Sequence, residues 1–572
     1  MSSNSKWHKV GVSMGLLAAI GMASCADTDT GSADGADPSG NASAEGEPLA
    51  MSSAAGRDAE IRALPVYDVI ETGIDEARAA RLAAALGLTD NALDSGRGVL
   101  GGDGAMRYLD EERFQKVPTR AIPAQPGRPD ERGRPTAATT RAIDFDALAA
   151  LRVLPDDVAV TRVRAALAGA GLPALRGISV THSTFEAVTK EGVAQADAQL
   201  DTQVNGEFAL EGHRLIGPGA KVKVVFDGEG VVTQMVHAAR TLSRGEEVAI
   251  VPPSRADRLC AEAFGGMQNL SVTSELVYYA PPLAQKVSRI YPHYACGGTA
   301  RVEGREIVLR RIMVPALVDR SKAGVSAEES SLMAAPQPSS ASAAGTSVGT
   351  EWIGTCGGLG GSSSSANGFA SVFKSKGASV PFNNGEFDAK EKHFKDPNKG
   401  GNDDLYADSV DMTFFTGHAD SEGFYFCSSA SDQALTYQDA RWGQTGVEWM
   451  VVAACGPLQG TNADGMNAVE RWGRAFVGLH LLLAYANTSY DNVTEGPDLA
   501  NYLLVNQLKV RNAWVQAATN AQPADTTYAF MGTYGVDDAM PNYDDFFWEQ
   551  GPVGADQTGD EIEGFWRIKG GC

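Results

Sequence analysis

Two residues in the distal half of the chain, His418 and Cys455, are of the types that nucleophilic chemistry needs. An ionised thiol attacks, and an imidazole takes or gives a proton near neutral pH. Each ends an apolar run. Val410-Asp411-Met412-Thr413-Phe414-Phe415-Thr416 leads into Gly417-His418, and Val447-Glu448-Trp449-Met450-Val451-Val452-Ala453-Ala454 leads into Cys455-Gly456. Runs this short, rich in β-branched and aromatic residues and closed by turn formers, predict strands buried on both faces of a sheet. If the two are parallel neighbours, His418 and Cys455 emerge at the same carboxyl-terminal edge, where open α/β sheets hold their sites. The chemistry of such a pair is acyl transfer. Cys455 attacks, His418 protonates the leaving amine, and the N–H groups of Gly417 and Cys455 receive the oxyanion. Asp411 starts the histidine run and lies too far away to orient the ring. Blander readings stand beside this one: Cys455 as a buried structural cysteine or the disulfide partner of Cys356, and His418 as a turn histidine.

The elements that must position the pair follow from the surrounding residues. Glu351 to Thr355 predicts a first strand breaking into the loop Cys356-Gly357-Gly358-Leu359-Gly360-Gly361, with a helix from Asn367 to Ser375. The loop lacks the Gly-Lys-Ser/Thr ending and the spaced glycines of nucleotide sites, so it is read as letting backbone approach backbone beside the site. No cofactor and no metal is expected. The loop Asp396 to Asp404 lacks the closing glutamate of a calcium-binding EF-hand and is read as a solvated acidic loop. Arg471 to Tyr485 is read as a buried helix with His480 a hydrogen-bonded core residue, and Asn501 to Ala518 as another helix.

The whole chain has 572 residues and a formal charge of −23. That length exceeds one ordinary core, and that charge argues against a nucleic-acid partner, since phosphate binding needs a basic surface. Lys6 and Lys9, the apolar run Val10 to Met22 and then Ala23-Ser24 form an export signal over residues 1–24. Residues 25–60 have almost nothing to bury and are read as a disordered tether. Residues 61–318 are read as an α+β region, with helices at Ile74 to Leu86, Asp156 to Ala170 and Ser254 to Phe264. A hairpin is expected around Asp227-Gly228-Glu229-Gly230. Residues 319–349, rich in Ser and Ala, are a linker, and 350–572 the α/β domain. Every tryptophan but Trp7 lies beyond that linker. Export puts Cys260, Cys296, Cys356, Cys427, Cys455 and Cys572 in an oxidising compartment, with fifteen full pairings open.

Four resemblances add to this reading. Cys25 after small residues resembles the lipobox of bacterial lipoproteins, which implies lipid on its sulfur, a membrane anchor and an outer-membrane or cell-surface address. Leu215 to Val224 with the Asp-Gly hairpin and a following helix resembles PepSY and metalloprotease-propeptide modules, over about residues 157 to 265. The blocks ending Gly417-His418 and Ala454-Cys455-Gly456 resemble the caspase-like cysteine peptidases, over roughly residues 350 to 490. That resemblance implies a mostly parallel sheet flanked by helices, a His418 and Cys455 dyad and a peptide or protein substrate. Ala419 and Ala453 depart from the peptidase pattern. Trp352 to Gly361, with Gly417-His418, Glu448-Trp449, Ala454-Cys455-Gly456, Arg471-Trp472 and Gly478-Leu479-His480, is also similar to an uncharacterised family of exported bacterial proteins. The functional expectation is a lipid-anchored cysteine peptidase, a hydrolase restrained by its amino-terminal region and released by cleavage between Ser321 and Val348. The alternatives are a non-catalytic surface binding protein on a degenerate caspase-like scaffold, contacting partners through its aromatic-rich tail, and a thiol transferase or cyclase.

Overall fold

Short alternating strands joined by turn formers cannot bury an apolar face alone, and the amino-terminal part of the chain pools them in one large sheet. A computed structural model describes residues 61–89, 91–93, 99–265, 267, 269–323, 342–427 and 433–572. The expected export signal (residues 1–24), Cys25, the expected tether and most of residues 319–349, read as a linker, lie outside the described residues. Among the described residues no helix is long and apolar enough to cross a membrane.

Helix α1 (Glu76–Leu86) starts where the Asp75 carboxylate accepts the Arg78 N–H and stops at Gly87, whose φ of 70° suits glycine. α2 (Asp156–Gly169) turns Ala159, Val163, Ala166 and Leu167 inward. β1 (Thr184–Thr189) and β2 (Ala194–Gln199) pair as a hairpin. β3 (Ala220–Phe226) and β4 (Val232–Ala249) form the expected Asp-Gly hairpin, with the Asp227 carboxylate accepting the N–H groups of Glu229 and Val231. Leu82, Leu86, Val163 and Leu167 pack on Val222, Val224 and Met235, so both helices cover one face of that hairpin. α3 (Ala256–Ala263) follows, then β5 (Leu270–Tyr279), β6 (Pro292–Val302) and β7 (Arg305–Pro315), an antiparallel meander on the same eleven-stranded sheet. Cys260 of α3 is bonded to Cys296 of β6.

The second sheet uses β8 (Val348–Trp352), β9 (Asn383–Gly385), β10 (Met412–Thr416), β11 (Trp449–Ala453), β12 (Leu481–Tyr485), β13 (Thr527–Gly535) and β14 (Ile562–Gly571). Its order is β9-β8-β10-β11-β12-β13-β14-β1-β2. The first five strands are parallel and the rest antiparallel. The fold is therefore mixed α/β. The hairpin β1-β2 comes from the amino-terminal part yet completes this sheet, with Arg567 of β14 paired to Glu186 of β1 at 2.5 Å. Strands on both sides of the linker thus share one sheet.

Side chains alternate across the parallel strands as a period of two requires. Met412, Phe414, Val451, Leu481 and Leu483 face α4 (Ser362–Ser375), α6 (Glu495–Leu504) and α7 (Val510–Ala521). Phe415, Met450, Val452 and Leu482 face a cluster containing Phe394, Phe424, Trp442 and Trp472, the last at the end of α5 (Ala468–Trp472).

Several expectations are corrected. Arg471 to Tyr485 is not one helix, because α5 stops at Trp472 and the chain re-enters the sheet as β12. Gly478, at φ 124°, turns it there, since a Cβ would lie 2.1 Å from the Gly443 oxygen. The apolar run of β12 is too short for periodicity to tell strand from helix. Asn501 to Ala518 divides into α6 and α7, the chain turning through Gln507 at φ 54°. The aromatic tail is not a surface: Phe547, Trp548 and Trp566 are core residues.

Candidate functional site

Register settles where the candidates emerge. Thr416 lies beside Ala453 in the β10–β11 ladder, so His418 and Cys455 each stand two residues beyond it on the carboxyl edge. Both are buried, at 0% and 1% exposure.

His418 is held through both ring nitrogens. Nε2–H donates to the Gly357 carbonyl at 2.7 Å, and Nδ1 accepts the Arg310 main-chain N–H at 2.9 Å. These partners fix the tautomer with its proton on Nε2. Gly357 permits the approach, because a Cβ there would sit 3.2 Å from the imidazole and 2.8 Å from Ile353. The loop is pinned by a Cys356–Cys427 disulfide and by Glu386, whose carboxylate accepts the N–H groups of Thr355 at 2.6 Å and Cys356 at 2.9 Å. Gly358, at φ 74°, lies against Phe264 just beyond α3. The glycine loop therefore lets backbone approach the site, as its sequence implied. Burial pushes the His418 pKa down to about 4, with the Arg310 charge adding to the effect, so the ring is neutral at pH 7.

Cys455 is a free thiol. The Cys356–Cys455 bridge weighed from the sequence is not formed, since Cys356 reaches Cys427 instead. Cys455 Sγ accepts the Ser489 N–H at 3.3 Å and lies 3.8 Å from the Ser489 carbonyl and 3.7 Å from its hydroxyl. Burial raises its pKa, against the pull of Ser489 and of the Arg310 and Arg311 charges. No hydrogen bond joins Cys455 to His418.

Consecutive residues of β7 reach toward both. Arg310 N–H holds His418, while Arg311 N–H donates to the Ser489 carbonyl and the Arg311 carbonyl accepts from Asp491, both at 2.8 Å. The Arg310 guanidinium runs into the carboxyl-terminal half. It donates to Thr416 Oγ1 at 2.6 Å and Glu495 Oε2 at 2.7 Å, with Arg310 and Glu495 fully buried. Glu495 also accepts from the Tyr485 hydroxyl and from Gln522 Nε2 at 3.1 Å. These contacts escaped the sequence reading. The one signal was the pair Arg310-Arg311 inside an apolar strand, since buried charges need partners.

Other candidates separate from the site. Asp411 binds Arg132 at 2.5 Å and Arg134 at 2.7 Å, at the opposite end of β10 from His418. His480 lies between Asp545 at 2.6 Å and Asp556 at 2.9 Å. Burial opposes its charge, yet those carboxylates lift its pKa to about 10, so it is a cation of the core. The loop 396–404 is not wholly solvated, because Asp396 and Asp403 are buried. Burial, then the charges of Asp408 and Asp396, raise Asp403 to about 8. Among the described residues, Cys356, Glu386 and Cys427 are the group with metal-ligand spacing, and their two sulfurs are committed to the disulfide.

Residues 350–570 match a family described as "Domain of unknown function (DUF6345)". No curated protein matches the chain. Among solved structures, a crystal structure of an uncharacterized protein from Eubacterium rectale ATCC 33656 is similar at 12% identity and a TM-score of 0.23. The match covers 45% of this chain and 84% of that one, and at that score it carries no functional inference.

Proposed function

We propose that the chain is an exported, lipid-anchored cysteine peptidase of caspase-like type, with Cys455 as nucleophile and His418 as its proton carrier, held latent by the amino-terminal part. The observation that carries this reading is the Arg310 main-chain N–H on His418 Nδ1. An amide nitrogen there occupies the place a departing amine would take. The parallel order β9-β8-β10-β11-β12, with His418 and Cys455 beyond adjacent strands, supports the same reading.

In the described state the pair cannot react. The thiol is protonated, and an imidazole with a pKa near 4 whose lone pair is taken is a poor base. Withdrawal of β7 frees Nδ1 and admits water, which moves both pKa values toward their ordinary range. Nε2–H remains on Gly357, so Nδ1 faces the reaction. The thiol proton passes to Nδ1, and the sulfur forms a bond to the scissile carbonyl carbon. The carbonyl oxygen becomes an oxyanion, received by the N–H groups of Gly417 and Cys455. Collapse breaks the C–N bond as His418 returns the proton to the leaving amine, and water then hydrolyses the thioester.

The test is peptide hydrolysis by the mature chain after proteolytic cleavage between residues 321 and 348. Activity should appear on cleavage and vanish in Cys455→Ala and His418→Ala. Unchanged hydrolysis in Cys455→Ala would overturn the reading. A second reading, a non-catalytic binding protein, is favoured by Ala419, Ala453 and the lack of contact between thiol and imidazole. It predicts no hydrolysis and no change on cleavage.

A further inference from the structure

We infer that the cleft selects peptides carrying an arginine beside the bond to be cut, and that Arg310 stands in the place of that arginine. The inference rests on the peptidase reading and names its substrate class.

Three observations carry it. The pocket around the Arg310 guanidinium is built from the carboxyl-terminal half: Thr416 and Glu495 bind it, and Tyr485 and Gln522 fix the Glu495 carboxylate. Asp491, half-buried and held by Gly361 N–H at 2.6 Å and Ser362 Oγ at 3.0 Å, adds a second acidic group near the guanidinium. When β7 withdraws, Glu495 is left buried with no cation, so the vacated pocket favours a positive side chain and rejects aspartate or glutamate. Thr416 and Glu495 accept from different terminal nitrogens, Nη1 and Nη2, a fork that suits guanidinium better than the single ammonium of lysine.

The main chain of the occupant is held in a way any extended peptide can copy. Arg311 bridges Tyr490 in parallel, through its N–H on the Ser489 carbonyl and its carbonyl on the Asp491 N–H. One residue, Arg310, thus puts its amide on the imidazole and its side chain in the acidic pocket.

The experiment uses the full mature chain with Arg310→Ala. N-propylguanidinium should bind this variant and raise its Tm, N-propylammonium should do so less, and neither should bind the native chain. If the variant does not fold alone, it is refolded with each compound; recovery with propylguanidinium but not propylammonium supports the pocket, and equal recovery or none overturns it. In the chain cleaved between residues 321 and 348, peptides with arginine flanking the cut bond should be hydrolysed about a hundredfold or more faster than leucine or aspartate analogues, since the site's buried polar groups would otherwise go unpaired. Hydrolysis without arginine preference overturns the inference and leaves the peptidase reading standing. Guanidinium binding without any hydrolysis keeps the pocket assignment and overturns the peptidase reading.

Discussion

Replacing Cys356 and Cys427 by serine should cost about 4 kcal/mol of stability, because the bridge closes a long stretch of chain in the unfolded state. The two cysteines are 71 residues apart. Chain-entropy scaling for a loop of that length gives an entropy restriction of about 15 cal/mol/K, hence about 4 kcal/mol at 25 °C. The bridge also anchors the turn whose Gly357 carbonyl orients His418, so its loss acts on the site as well as on the fold. The assay is urea unfolding of the oxidised native chain and of the Cys356→Ser/Cys427→Ser variant, followed by tryptophan fluorescence and compared at equal m-value. Thiol titration of the unreduced, denatured native chain supplies the control: Cys455 and Cys572 should react, and the four bridged cysteines should not. A loss below about 1 kcal/mol would contradict the entropic reasoning, which predicts a value near the upper part of the usual range. Reaction of Cys356 or Cys427 in the unreduced chain would contradict the pairing itself.

The buried histidines give two further expectations. His418 has a folded pKa near 4 against 6.5 unfolded, so its contribution is present above pH 6.5 and lost as pH falls toward 4. The loss reaches about 3 kcal/mol, measured as the difference in acid stability between the native chain and His418→Gln. Identical pH profiles would contradict it. His480 has the opposite sign: its folded pKa, about 10, exceeds the unfolded value, so its contribution is complete below pH 6.5 and fades as pH rises through 10. His480→Gln strands Asp545 without its cation and should cost about 3–5 kcal/mol at pH 7 by denaturant unfolding. A change under about 1 kcal/mol would contradict the charged state assigned to it.

What the sequence disclosed and what it hid divide by range. β10 and β11 were legible because each is an unbroken apolar run closed by a turn former, while their parallel pairing, a condition in the sequence reading, is supplied by the structure. The Asp227 to Gly230 hairpin was legible because its turn residues have a local mechanism. β12 was misread because a short buried strand and a short buried helix leave the same apolar trace. The cysteine pairing was open because connectivity is fixed by the fold and not by spacing. The cover over the site was hidden for a deeper reason. The bond from Arg310 to His418 spans 108 residues and uses a main-chain N–H, which no side-chain pattern encodes. The buried state of Asp403 has the same origin, since acidic loops look solvated until a neighbouring element closes over them.

The proposed peptidase depends on β7 holding a competent thiol and imidazole apart from substrate. Its most direct test is the alkylation rate of Cys455, read by mass spectrometry at that residue, in the native chain, in the chain cleaved between residues 321 and 348 and in the cleaved His418→Gln chain. Near silence is expected in the native chain and a rise of about a hundredfold on cleavage, as a buried thiol gains exposure beside an imidazole. Most of that rise should disappear in the cleaved His418→Gln chain. Equal alkylation in all three, or a rise that does not depend on His418, would contradict it.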